Sequence, residues 1–471
     1  MANTIKSIDG IEYEILQKKS PLGKMVPFRL GAGGQGVAYK AKEVKKKREC
    51  VVKYYHEITP PEFNKNLEKI IAMGNPHEAF IWPQKMLPPR KNGSIGFVME
   101  LYDNQVYKKF EDVAIYRNAT FKSRRVQLNA LIELVSAFEA LHAKGYCFQD
   151  INEGAIVFDV ERGRVKICDC ENVAPIGERI PIGYNSKGEK MFMQGFPRYK
   201  APEVEIRAMF PDQYTDRYSL AVMIFMILTM CHPLEGKKRF SYNPEGIVDG
   251  NVKKDIYGAN PIFVFDDNNA TNRPDPKEDA DAITIWPAIP SFIKDLFKKA
   301  FCQGLPSKGK YDEIKRAERC NRPTEKQWRE AFIKWMDMLV GCKKCNVSFV
   351  ADIDPRTMAL NSVCPTCGFN NNHDYPRMKV YRRNVHKRTV LLVPERDVPK
   401  GTITDTNDID PAIEVLKGRR PGIHGIKNVT AANWTCYLGQ NSVALKPNDF
   451  VRLQTGMKIA FNFDYYGEII I

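Results

Sequence analysis

Four groups of residues follow one another along this chain in an order that few folds can use. Leu30-Gly31-Ala32-Gly33-Gly34-Gln35-Gly36 supplies glycines at 31, 33 and 36, Lys53 comes 17 residues later at the end of an apolar segment, and Asp150 and Asp169 follow, 19 residues apart. A G-x-G-x-x-G turn alone fits any hairpin. Followed by a strand lysine, it lets backbone N–H groups approach phosphate oxygens while the ammonium pairs with them. Residues 11–55 alternate apolar and polar positions around the glycines and a basic tip, Lys45 to Arg48, as expected of a β-rich start. Such a lysine needs a carboxylate to hold it. Pro60-Pro61 opens a helical pattern with Phe63, Leu67, Ile70 and Ile71 on one face, closed by Gly74. On it Glu68 is the expected partner of Lys53, with Glu62 as the alternative. Asp150 sits in a loop before the strand Ile156-Val157-Phe158, and Asp169 ends the strand Val165-Lys166-Ile167. Two carboxylates so placed suit phosphoryl transfer, one accepting the proton of a hydroxyl and the other binding Mg²⁺.

Composition narrows the setting. With 471 residues, of which 43% are hydrophobic, the chain is a folded protein and not a disordered one. Its longest apolar run, Leu220 to Cys231 with Thr229 as the one interruption, is 12 residues long. That is short of the ~20 needed to cross a bilayer, so it reads as a buried helix. The start, MANTIKSIDG, has no apolar segment that could serve as a secretory signal, so the expected location is cytoplasmic and no membrane partner is expected. Thiols stay reduced there, which makes the 12 cysteines ligands or buried thiols. The net charge of +15 admits nucleotide or nucleic acid without saying where the field points.

At Gly341 the character of the sequence changes. Cys342-Lys343-Lys344-Cys345 and Cys364-Pro365-Thr366-Cys367 form two C-x₂-C pairs separated by 18 residues. Each pair places two thiolates on one tight turn, and two turns complete a tetrahedral shell suited to Zn²⁺. Four protein ligands leave no position open, so the zinc would be structural and would supply folding energy to a segment too small to build a core. Lys343 and Lys344 are thin support for nucleic acid, which is not an expected partner. After Pro376 the chain reads as short strands, among them Thr389–Val393, Trp434–Leu438 and Met457–Phe463. Residues 376–388 hold six Lys or Arg and no acidic residue, which suits a charge-protected edge strand as well as an anion site.

The ordered landmarks resemble the eukaryotic-type (Hanks-type) protein kinase family over residues 11–340. Phe97-Val98-Met99-Glu100-Leu101 looks like the hinge that bonds adenine. Phe148-Gln149-Asp150 stands where the family has H-R-D, and Asp169-Cys170-Glu171 where it has D-F-G. Ala201-Pro202-Glu203 matches A-P-E intact, Asp216 matches the aspartate of the central helix, and Arg322 the arginine that pairs with Glu203. The resemblance implies an ATP-dependent kinase acting on protein hydroxyls, serine or threonine in preference to tyrosine. Gly31, Gly33, Gly36, Lys53, Met99, Glu100 and Leu101 would bind the nucleotide and Asp169 would hold Mg²⁺. Asp150 would be the base, assisted by Lys53, Glu68 and Asn152.

The departures from the family each remove something. Ala155 replaces an asparagine that binds a second Mg²⁺, Asn152 a lysine, Phe196 the threonine that meets it, Gln149 the arginine that pairs with an activation-loop phosphate, Ala38 a valine and Glu171 a glycine. Ala155 admits two readings, a chain that has left catalysis or an active Asp-Ile-Asn-Glu-Gly-Asn sequence altered at that one position. Retention of Lys53, Asp150 and Asp169 favours the second. The alternative function is a nucleotide-binding pseudokinase scaffold that presents partners. Residues 376–471 loosely resemble a forkhead-associated (FHA) β-sandwich, whose phosphothreonine arginine would be Arg419 or Arg420. The expected architecture is therefore α+β: a bilobal kinase-like domain over 1–340, a Cys₄ zinc ribbon over 341–375 and a small all-β sandwich over 376–471. The combination is similar to kinases of bacterial stress and tellurite-resistance gene clusters. By that resemblance the partners are a protein substrate, a von Willebrand A-type protein being the candidate, and an opposing PP2C-type phosphatase.

Overall fold

The computed structural model describes residues 4–305, 319–353, 360–404, 406, 408–418 and 424–471. The chain packs as two compact units, one made of residues 1–122, 133–282 and 296–326 and the other of 123–132, 283–295 and 327–471.

The first unit begins with a seven-stranded antiparallel sheet. Its order is Thr4–Lys6, Glu12–Ile15, Gly36–Glu43, Glu49–Tyr55, Gly96–Glu100 and Pro83–Leu87, with Arg29–Ala32 also paired to Gly36–Glu43. Alternation along these strands sends Tyr13, Val52, Tyr54, Leu87 and Val98 into one apolar core. The basic tip is the turn between Gly36–Glu43 and Glu49–Tyr55, where Lys47 takes a positive φ of 60°. The helix Pro61–Met73 starts with proline in its first turn and stops at Gly74, whose φ of 77° ends the helical path. Its apolar face closes on the sheet, and Trp82 Nε1 donates to the Ile70 carbonyl at 2.9 Å.

The helical part of this unit is built around Gln213–Thr229. Asp212 and Thr215 close its start as a reciprocal capping box. From Tyr218 to Thr229 every side chain is buried, so the apolar run has no solvent face, as expected of a central helix. Among the described residues no helix is long and apolar enough to cross a membrane. Asp150 lies in the loop before the hairpin Ile156–Asp159 with Arg164–Ile167, and Asp169 follows its second strand. A second hairpin, Pro181–Tyr184 with Lys190–Phe192, has no counterpart in the sequence expectations. Its turn, Asn185-Ser186-Lys187-Gly188, is held by Asn185 Oδ1, which accepts the N–H groups of Lys187 and Glu189.

In the second unit the hairpin Leu339–Gly341 with Ser348–Val350 and the short pair Asp352–Ile353 with Leu360–Asn361 surround the four clustered cysteines. Their core takes in Met338, Val340, Phe349, Ala351 and Leu391, with Tyr375 and Val393 packed against it. A cut near 340 therefore falls inside a packed core. Composition changes at Gly341, whereas the packing changes at Gln327, because the helix Glu325–Asp337 leads directly into the residues that cover the cysteines.

From Arg377 on, the second unit is mainly two antiparallel sheets. One runs Val385–Leu391, Arg377–Arg382, Tyr465–Ile470, Lys458–Ala460, Trp434–Leu438 and Asn441–Leu445, and the other Asp397–Pro399, Pro411–Lys417, His424–Asn428 and Phe450–Arg452. Inward residues from both, including Met378, Val380, Ile413, Ile426, Trp434, Ile459 and Ile469, form a single core. Arg419 and Arg420 lie outside the described residues.

Candidate functional site

The glycine loop is the turn joining Arg29–Ala32 to Gly36–Glu43. A Cβ on Gly36 would lie 2.4 Å from the Tyr54 carbonyl oxygen, so no larger residue fits there. Around Gly31, Gly33 and Gly34 there is open space. The tip rests on His56, whose Nε2 is 3.1 Å from the Gly33 carbonyl oxygen and whose backbone N–H donates to the Gln35 carbonyl. Beside this loop the strand Glu49–Tyr55 presents Lys53, paired in register with Ala38 on one side and Phe97 on the other. Met99 and Glu100 end the neighbouring strand and Leu101 follows it, all three half-buried. The Glu100 carboxylate lies 3.4 Å from Lys166 Nζ.

Lys53 is where the structure departs from the sequence reading. Its ammonium donates to Asp169 Oδ1 at 3.1 Å and forms a shorter contact with Glu171 Oε1. Burial would depress this amine, but the Glu171 and Asp169 carboxylates outweigh it and hold the proton more firmly than in a free lysine. Glu68 is exposed on the helix Pro61–Met73 and is not a partner of Lys53. The helical period explains this: its buried face is Phe63, Asn66, Leu67 and Ile70, which turns Glu68 to solvent. Glu62 also misses Lys53, pairing with Lys190 at the surface. The sequence reading noted Glu171 only as a substituted glycine. The available signal was its position two residues after Asp169, in a segment of buried neighbours.

Asp169 follows the strand Arg164–Ile167 in the left-handed region, with φ of 58°, and Gln149, next to Asp150, has φ of 67°. Non-glycine residues are held there only where their surroundings fix them. For the Asp150 loop that fixing group is Asp216, whose carboxylate accepts the N–H groups of Phe148 at 2.6 Å and Gln149 at 3.1 Å. Asp216 is held in turn by His142, whose ring nitrogens lie 3.0 Å from Asp216 and 3.0 Å from Glu325, and Arg217 pairs with Glu325 at 2.9 Å. Burial opposes charge on His142, but the two carboxylates push it up to about 9. Sequence reasoning did not find His142, which sits on the long helix Arg124–Ala143 as one polar residue near its end. A further buried pair, Arg322 on Glu203 at 2.8 and 2.9 Å, ties the segment after the second hairpin to the end of the unit.

The Asp150 carboxyl is pushed up to about 6, chiefly by burial and then by the charge of Asp169, while Asn152 eases it. Asn152 donates its amide to the Asp150 carbonyl at 2.9 Å and accepts the Gly154 N–H, so it shapes the loop. Ala155 is fully buried and offers no side-chain oxygen or nitrogen. For a divalent cation the side chain at hand is Asp169, 43% exposed. One or two carboxylates with substrate phosphates completing the shell suit Mg²⁺, so the donors fit one such ion.

Away from this site, the four cysteine sulfurs all lie within 4.8 Å of one another. Cys342 and Cys367 are 3.7 Å apart and Cys345 and Cys364 3.6 Å. Disulfides need ~2.05 Å. A tetrahedron of sulfurs at ~2.3 Å from zinc has edges of about 3.8 Å, so the donor set fits Zn²⁺ in both chemistry and size. The Lys344 N–H donates to the Cys342 sulfur at 3.4 Å, as a thiolate in a knuckle requires.

A curated relative, the probable serine/threonine-protein kinase mkcB of Dictyostelium discoideum, is 24% identical over 232 residues, which cover 49% of this chain and 29% of the relative. The matched part thus spans less than a third of that relative's length. The model of the protein kinase domain family matches residues 27–302, more than half of the chain and the part that holds the glycine loop, Lys53, Asp150 and Asp169, and the chain therefore belongs to the protein kinase domain family.

Proposed function

We propose that this chain is an ATP-dependent protein kinase that phosphorylates protein hydroxyls, serine or threonine in preference to tyrosine. The observation that carries the reading is the pairing of Lys53 with Asp169, with the half-buried Asp150 close enough to feel the Asp169 charge and an open glycine loop leading into the strand that pairs with the Lys53 strand. Backbone N–H groups of the loop and the Lys53 ammonium would take the phosphates, and Met99 to Leu101 the adenine. Mg²⁺, held by Asp169, would neutralise charge building on the transferred phosphoryl group. Asp150 would orient the acceptor hydroxyl and take its proton, a role that its raised proton affinity favours near neutral pH. The relative's description as a probable serine/threonine-protein kinase supports the choice of serine or threonine.

The second reading, a nucleotide-binding pseudokinase scaffold, is favoured by one observation, the buried and ligand-free side chain of Ala155. Under either reading the Cys₄ ribbon would be structural and the two C-terminal sheets a docking module of FHA-like type. Their partners would be a protein substrate, with a von Willebrand A-type protein as candidate, and an opposing PP2C-type phosphatase. The deciding experiment is transfer of labelled γ-phosphate by the chain as it stands and by Ala155→Asn. Transfer by both, or by the Asn form alone, establishes the chemistry. No transfer from the Asn form, to itself or to candidate partners, would end the kinase reading and leave the scaffold.

A further inference from the structure

A lysine that grips phosphate has to be held in place by a carboxylate, and in this chain the helix Pro61–Met73 does not supply one. Its buried face has a single polar member, Asn66, whose amide is already given to the Val173 carbonyl at 2.8 Å. Both of its glutamates, Glu62 and Glu68, face solvent. The Lys53 ammonium instead lies between two carboxylates from one short stretch of chain. One is Asp169, 43% exposed and required for the metal, and the other is Glu171, 1% exposed. Asp169 in the left-handed region leads into the turn Cys170–Asn172, and this brings side chains two residues apart onto the same amine. A carboxylate so fully withdrawn from water survives only when paired, and Lys53 is the cation on it.

We propose that Glu171 is the positioning residue for Lys53, doing from the metal-binding loop what the sequence reading assigned to Glu68 on the helix. The inference rests on the nucleotide-binding reading above. Its consequence concerns control. The lysine and the metal carboxylate are set by a single turn, so displacement of the helix Pro61–Met73 does not release the lysine. A control device that works by swinging that helix has nothing to disconnect. The neighbouring substitution points the same way, since Gln149 cannot bind a phosphate on the activation segment as arginine does.

The test measures affinity for Mg·ATP and for adenosine in the full chain, in Glu171→Gln, Glu68→Gln and Lys53→Met, and in the double variant Lys53→Met with Glu171→Gln. Adenosine has no phosphate for Lys53 to hold and so reports the integrity of the pocket. Loss of a charged hydrogen-bond partner should weaken ATP binding about tenfold or more in Glu171→Gln while adenosine binding stays as it was. Glu68→Gln should match the unaltered chain for both ligands. With Lys53 already gone, Glu171→Gln should cost nothing further, which a merely structural role for Glu171 would not produce. The same comparison with Glu171→Gly, which leaves no buried amide to satisfy, serves if the glutamine variant does not fold. Unchanged ATP affinity in the Glu171 variants, or an equal loss whether or not Lys53 is present, would overturn the inference alone. Failure of the unaltered chain to bind either ligand would overturn the nucleotide reading and this inference together.

Discussion

The His142 bridge makes a stability prediction with a definite pH signature. His142 is almost wholly buried between Asp216 and Glu325 at 3.0 Å from each, and the fold raises its proton affinity from 6.5 to about 9. Because the folded value lies above the unfolded one, the contribution is complete below about pH 6.5 and fades as pH rises through about 9. Its size is about 3 kcal/mol, from the gap between the two values at ~1.4 kcal/mol for each pKa unit. His142→Gln keeps hydrogen-bonding capacity but abolishes the charge. Urea unfolding followed by circular dichroism should therefore show a large gap between the parent chain and H142Q at pH 6, and a gap reduced by about 3 kcal/mol at pH 9.5. An imidazole proton resonance absent from H142Q should titrate near pH 9. A stability gap that stays flat from pH 6 to 9.5, or an imidazole that titrates near 6.5, would refute the claim that a charged histidine holds the Asp216 carboxylate under the Asp150 loop.

Three further expectations follow from other contacts. Asp150→Asn should lower phosphotransfer by about 10²- to 10⁴-fold with ATP affinity unchanged, and the parent rate should fall as pH drops through about 6, where the base becomes protonated. Arg322→Ala and Glu203→Ala should each destabilise the first unit by about 3–5 kcal/mol, since each strands a buried charge, and the double variant should lose less than the sum. Elemental analysis should find one zinc per chain, lost in Cys364→Ser, and limited proteolysis of the metal-free form should begin within 327–393 and spare the sheet Thr4–Leu87.

Legibility in the sequence followed the range over which each feature is encoded. Gly36, the strand around Lys53, the helix opened by Pro61 and closed by Gly74, and the apolar helix ending at Thr229 are local patterns, and each is where the period or the turn chemistry places it. The partner of Lys53 was not legible. Choosing Glu68 needed only helical proximity, whereas Glu171 is 118 residues away in sequence, and its role depends on the turn that begins at a left-handed Asp169. His142 illustrates the same limit, as its partners lie 74 and 183 residues further along the chain. The boundary near 340 was drawn where composition changes, but Met338 and Val340 already belong to the core around the cysteines.

That core also has a consequence for how the chain is made. Leu391, at the end of the first hairpin of the two-sheet region, and Val393 just after it pack against the four-cysteine segment. The four-cysteine segment and the sheets thus share one apolar core. A newly synthesised chain short of metal would leave those two apolar side chains without cover, next to the outermost strand Val385–Leu391 of the six-stranded sheet. Metal supply would then act as an inspection step in biogenesis, with a zinc-starved chain displaying a sticky edge to proteases and chaperones until the thiolates are filled.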